Sequence, residues 1–137
     1  MFITDRTEAD ALLGNEKGIY SYTDLNRVES HVSDIASLFP ELGFKSDIKT
    51  KTDWGLPGNY SKEEYPVQSQ MDRYLNNVKK IKDALAISIQ LPKSMDNLTW
   101  SGANNIEKVL QIALERIEGI KQAWKYSGEL YAGEENL

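Results

Sequence analysis

The chain has 137 residues, 21 of them acidic and 16 basic, for a formal net charge of −5, and it has no cysteine. That length fits one domain with a sizeable core, and the missing thiols exclude a disulfide framework and a thiolate metal centre. The negative field works against nucleic acid and anionic membrane surfaces. The opening Met1-Phe2-Ile3-Thr4-Asp5-Arg6 lacks the basic start and apolar run of a signal peptide, and no apolar stretch approaches the ~20 residues that span a bilayer. A soluble protein without a membrane partner is expected.

Met1-Phe2-Ile3 reads as a short strand-like piece. Thr7 to Leu13 reads as a short helix stopped by Gly14. A first long helix is expected over Thr23–Phe39, where Leu25, Val28, Val32, Ile35 and Phe39 recur in steps of three and four and so share one face. Pro40 and Gly43 end it. Residues 41–68 have no clear period, and Gly55, Pro57, Gly58 and Pro66 punctuate them with turns. Within that loop Ile48 to Thr52 reads as extended, and Trp54 as its anchor.

A second long helix is expected from Ser69 to about Ile87 or Ile89, its seam made of Met71, Tyr74, Val78, Ile81 and Leu85, with Pro92 beyond it. The third starts at Ser101, with Ile106, Leu110, Ala113, Ile117, Ile120 and Trp124 as its stripe. Tyr126 to Leu137 leaves the helical period, and Glu129-Leu130-Tyr131 reads as a short strand whose best match in composition is Phe2-Ile3. The fold class is therefore all-α: a three-helix bundle with a short N-terminal helix and an extended C-terminal tail. Residues 1–125 form the helical domain, and 126–137 an aromatic docking segment. Self-association would add to a core of this modest size.

The three long helices open on one phrase. A hydroxyl residue comes first, an apolar residue follows two places on, Asn or Asp three places on, and a large apolar residue five places on: Thr23-Asp24-Leu25-Asn26-Arg27-Val28, Ser69-Gln70-Met71-Asp72-Arg73-Tyr74 and Ser101-Gly102-Ala103-Asn104-Asn105-Ile106. Thr23, Ser69 and Ser101 read as N-caps, since a hydroxyl oxygen can accept from a free N–H of the first turn. The Asn or Asp resembles the return half of a capping box. Arg27 and Arg73 hold the same place in two phrases and Asn105 in the third, which argues for structural work on a neighbouring loop or carboxylate.

No constellation points to catalysis. His31 is the single histidine and reads as a surface or packing residue, with no second histidine to complete a metal set and no Gly-x-Ser-x-Gly elbow for a serine triad. No pair of carboxylates stands out for glycoside hydrolysis, and the glycines are too scattered to cradle phosphate. Lys79-Lys80-Ile81-Lys82 reads as a solvated helix face. Trp100, just before Ser101, reads as a staple at the helix entry, and Trp124 as its close. For Trp54, Tyr126 and Tyr131 contact with a partner is a candidate role beside packing.

Phe2-Ile3-Thr4-Asp5-Arg6-Thr7 resembles the opening of small structural proteins encoded in the tail modules of phages and prophages of Gram-positive bacteria. So do Tyr20 to Glu29, Lys51-Thr52-Asp53-Trp54, Gln70 to Val78, Ala103 to Lys108, and the ending Gln122 to Tyr131. The likeness spans nearly the whole chain in order. The stretch between Leu13 and Tyr20 is shorter than in that pattern, and Gly55 to Tyr65 longer.

The resemblance implies a non-enzymatic phage tail or baseplate protein that needs no cofactor or metal. It implies a protein assembled in the host cytoplasm into the virion, with other tail proteins as partners and a homo-oligomer as one candidate assembly. An alternative is a carbohydrate-binding module for the host cell wall, built around Trp54.

Overall fold

The computed structural model describes residues 1–45, 47–55 and 67–135, with side chains described as far as Lys125. A short helix α1 (Glu8–Leu13) precedes three long ones, α2 (Tyr22–Leu38), α3 (Gln68–Ala84) and α4 (Trp100–Glu135), and a 3₁₀ turn at Pro40–Leu42 follows α2. The all-α bundle expected from periodicity is what forms, and the described residues contain no strand.

Local chemistry sets most boundaries. Thr7 caps α1 by accepting from the Asp10 N–H at 3.2 Å while the Asp10 carboxylate accepts from the Thr7 N–H at 3.0 Å, a capping box. Gly14 closes α1 in the left-handed region, φ 65°. At the end of α3, Leu85 and then Ala86 (φ 53°) turn the chain, and the Ile87 N–H reaches back to the Lys82 carbonyl at 2.9 Å. That closure stops α3 well before Pro92, because the buried Ile87 is drawn into the core.

The three long helices run in the same direction. Near their starts Arg27 of α2 pairs with Glu107 of α4, and Arg73 of α3 with Glu29 of α2. Toward the far end Arg116 of α4 donates to the Leu85 and Ala86 carbonyls, and Lys121 lies 3.5 Å from Glu41. Same-direction helices need return segments as long as the bundle. A 17-residue helix is about 25 Å long, which residues 39–67 and 85–99 readily span at ~3.3 Å per residue.

The stripes also correspond position by position. Val28, Tyr74 and Ile106 share one place in their phrases; Val32, Val78 and Leu110 lie four on, Ile35, Ile81 and Ala113 seven on, and Phe39, Leu85 and Ile117 eleven on. All twelve are buried. The core is thus three copies of one apolar spacing.

Two expectations about the ends change. The backbone of α4 continues as helix through Glu135, so residues 126–135 are not extended and Glu129-Leu130-Tyr131 is not a strand. No proline interrupts them, and each further residue of an existing helix adds a hydrogen bond. Phe2 instead stacks on His31, ring centroids 4.1 Å apart, which gives that histidine the packing role expected of it.

Candidate functional site

The chemically dense part of the molecule lies where the first turns of the long helices meet the non-helical segments 1–6 and 49–54. Two buried carboxylates organise it. Glu107 on α4 is fully buried, and Glu29 on α2 is 1% exposed.

Glu107 accepts the Ile3 N–H at 3.1 Å and the Arg6 guanidinium at 2.7 Å. Arg27 presents two nitrogens to it, each at 2.9 Å. Asp24 adds a second carboxylate, 2.6 Å from Arg27 and 3.2 Å from Arg6. Two carboxylates thus meet two guanidiniums, so the buried cluster carries no net charge. The hydrogen bond to Glu107 is the main reason the Arg27 pKa lies above its ordinary value. One turn before Glu107, Asn104 holds both peptide edges of Arg6: its Oδ1 accepts the Arg6 N–H at 3.0 Å and its Nδ2 donates to the Arg6 carbonyl at 2.9 Å.

Glu29 repeats the arrangement. It accepts the Lys51 N–H at 3.1 Å, the Trp54 indole N–H, and the Arg73 guanidinium at 2.7 and 3.2 Å. One turn earlier, Asn26 accepts the Trp54 N–H at 2.8 Å and donates to the Trp54 carbonyl at 2.9 Å. In both places an Asn-x-x-Glu pair, Asn26 with Glu29 and Asn104 with Glu107, receives a segment reading Thr-Asp-Arg or Thr-Asp-Trp, Thr4-Asp5-Arg6 or Thr52-Asp53-Trp54. In both, the clamped residue's own side chain donates to the carboxylate, and an arginine from another long helix completes it, Arg27 of α2 for Glu107 and Arg73 of α3 for Glu29. Even the entry matches, with Asn77 donating to the Lys49 carbonyl at 2.7 Å and His31 lying 3.3 Å from that of Met1.

The third position is an apolar version. On α3 the same register reads Asp72-Arg73-Tyr74-Leu75, so a buried leucine replaces the carboxylate. The segment ahead of α4 carries Pro92 where Ile3 and Lys51 supply an N–H, and proline has none to donate. Asn105, in the place of Arg27 and Arg73, donates to the Gln90 carbonyl at 3.0 Å. The acceptor and its donors are lost together, so nothing charged is stranded.

Tyr20 and Tyr74 join hydroxyl to hydroxyl beside the Glu107 cluster, and Arg6 lies 5.6 Å from the Tyr20 ring centroid. Burial pushes both phenols above their ordinary range. Among the described residues no buried side-chain polar atom lacks a hydrogen-bond partner. A cleft of about 850 Å³ opens beside the cluster, lined in part by Phe2, Thr4, Ile19 and Arg27.

Several expected site residues move. Thr23, Ser69 and Ser101 are each the second residue of their helix, and the caps lie two places earlier at Ser21, Val67 and Thr99. Asp24 accepts the Ser21 N–H at 2.8 Å, and the Thr99 hydroxyl accepts that of Gly102 at 3.0 Å. The Asn of the phrase, read as a capping partner, is a segment clamp in α2 and α4.

The tryptophans also exchange roles. Trp54 is 1% exposed, its indole N–H spent on Glu29, so it is not a partner contact. Trp100 is 39% and Trp124 53% exposed: Trp100 begins its helix instead of preceding it, and Trp124 lies beyond the ends of α2 and α3. Tyr126 and Tyr131, proposed as partner contacts, have side chains outside the described residues. Arg27 and Arg73 do the structural work expected of them. Glu29 and Glu107 were missed, although their identical spacing from Asn26 and Asn104 is visible in the sequence.

The chain matches no known protein-family model, no curated protein and no solved structure.

Proposed function

We propose that the protein is a non-enzymatic structural component of a phage tail or baseplate, built into the virion in the host cytoplasm and working by contact with other tail proteins. The ordered resemblance along nearly the whole chain supports the assignment to a tail. The observation that carries the contact role is how the side chains are divided. Glu29, Glu107, Asp24, Arg6, Arg27 and Arg73 are spent on holding the chain's own segments. The outward surface carries large apolar groups: Leu12 and Leu13 on α1, Ile19 beside it, and Trp124 on α4. Exposed apolar groups of that size are available for protein contact.

Quantitative mass spectrometry of particles purified from a lysogen carrying the gene tests this reading. A fixed, low copy number per particle is expected; absence from particles would overturn it. The carbohydrate-binding alternative was built on Trp54, and burial of that ring leaves it without its motivating residue.

A further inference from the structure

α2 and α3 have 17 residues each, whereas α4 has 36. Residues 118–135 extend past the last position shared by the three helices, adding about 27 Å of helix. The seam of α4 continues with them. Ile106, Leu110, Ala113 and Ile117 are buried against the bundle. At the same alternation of three and four follow Ile120 and Trp124, with Ser127 and Tyr131 next in register. Trp124, on this continuing seam, is 53% exposed.

We propose that residues 118–135 of α4 pair with the same residues of a second copy of the chain, antiparallel. This deepens the reading of the C-terminal segment as a docking element and rests on it. Three observations choose the occupant and its direction. The seam is continuous with one that already packs helices within the chain. Its charge is divided: residues 118–127 carry Lys121 and Lys125 against the single acid Glu118, while 128–135 carry Glu129, Glu134 and Glu135 and no base. Antiparallel pairing sets each basic half against an acidic half, whereas parallel pairing sets like against like. A parallel partner would also have to continue alongside α4 where α2 and α3 already lie.

The helix dipole argues the same way. α4 ends on carboxylates with no basic residue in its last turn, where the dipole is negative and cations are preferred. The lysines of an antiparallel copy would supply them.

Sedimentation equilibrium of the full chain, taken up to about 1 mM to reach weak association, tests the pairing. A monomer–dimer equilibrium is expected, weakened about tenfold or more by Trp124→Glu, with helical circular dichroism unchanged because Trp124 lies outside the core. Because the chain has no cysteine, direction can be read from single-cysteine variants. Lys121→Cys is expected to cross-link to Glu134→Cys in a mixture, and not to itself. A monomer throughout, or a dimer indifferent to Trp124→Glu, would overturn self-pairing, and Lys121→Cys cross-linking to itself would overturn the antiparallel arrangement. A monomer still present in particles would refute the pairing and leave the tail assignment standing; a dimer absent from particles would do the reverse.

Discussion

Asn104 grips Arg6 by both of its backbone polar groups, taking its N–H at 3.0 Å and giving to its carbonyl at 2.9 Å. The side-chain amide imitates a neighbouring strand for a single residue, and so ties a non-helical segment to a helix without any sheet. Asn26 does the same to Trp54. The buried carboxylate one turn later then gathers the segment's remaining donors.

Each clamp acts on its own segment. Asn104→Ala should strand the backbone N–H and carbonyl of Arg6 at a cost of about 1–3 kcal/mol. Amide hydrogen exchange should quicken at Ile3 and Arg6 while Lys51 and Trp54 keep their protection. Asn26→Ala should give the converse pattern, and equal loosening of both segments in either variant would contradict the assignment.

The Glu107 cluster balances two acids against two bases in buried surroundings. Replacing Glu107 by Gln leaves Arg6 and Arg27 sharing one carboxylate, so denaturant unfolding should report a loss of about 3–5 kcal/mol. Lys17→Ala, which breaks the exposed pair with Asp5, should leave the midpoint where it is.

The third position supplies a sharper check. Leu75→Glu should cost about 3–5 kcal/mol, since Pro92 has no N–H to donate and Asn105 lacks the charge that Arg27 and Arg73 bring to the other two positions. Adding Asn105→Arg should recover part of that loss. A double-mutant cycle should show a favourable coupling of about 0.5–3 kcal/mol, and strict additivity would count against three equivalent positions.

The bundle was legible because its signal is periodic: Leu25 to Phe39, Met71 to Leu85 and Ile106 to Ile117 announce a buried face wherever they occur. Which residue caps was harder to read. Ser21 and Thr23, or Thr99 and Ser101, are hydroxyls two apart, and the first-turn N–H groups select between them only once the helix has formed. The docks were hidden for a different reason. A charged Glu29 or Glu107 one turn after an Asn looks like an ordinary solvated residue until a distant segment arrives to bury it, and the partners are 22–28 or 98–104 residues away in sequence. Trp54 was misread with them, since an aromatic in an irregular loop gives no sign that its indole N–H meets a buried carboxylate.

Alkaline solution should expose the tyrosine pair. Tyr20 and Tyr74 have folded pKa values above the ordinary 10.0, so above about pH 10 the unfolded chain releases protons that the folded chain retains. Their contribution is complete below that pH and declines above it, by about 1.4 kcal/mol per pH unit for each phenol. Tyrosinate ultraviolet absorbance should show Tyr20 and Tyr74 ionising only as the bundle unfolds. Tyr20→Phe should make the alkaline loss shallower.

The proposed contact role rests on a bundle that holds itself together and a helix that extends beyond it. The most direct test counts copies per particle by quantitative mass spectrometry in a lysogen making either the full chain or a form lacking residues 126–137, with circular dichroism confirming that the shortened form folds. The full chain is expected at a fixed low number and the shortened form folded but depleted from particles. Equal incorporation of both, or absence of both, would contradict the contact role.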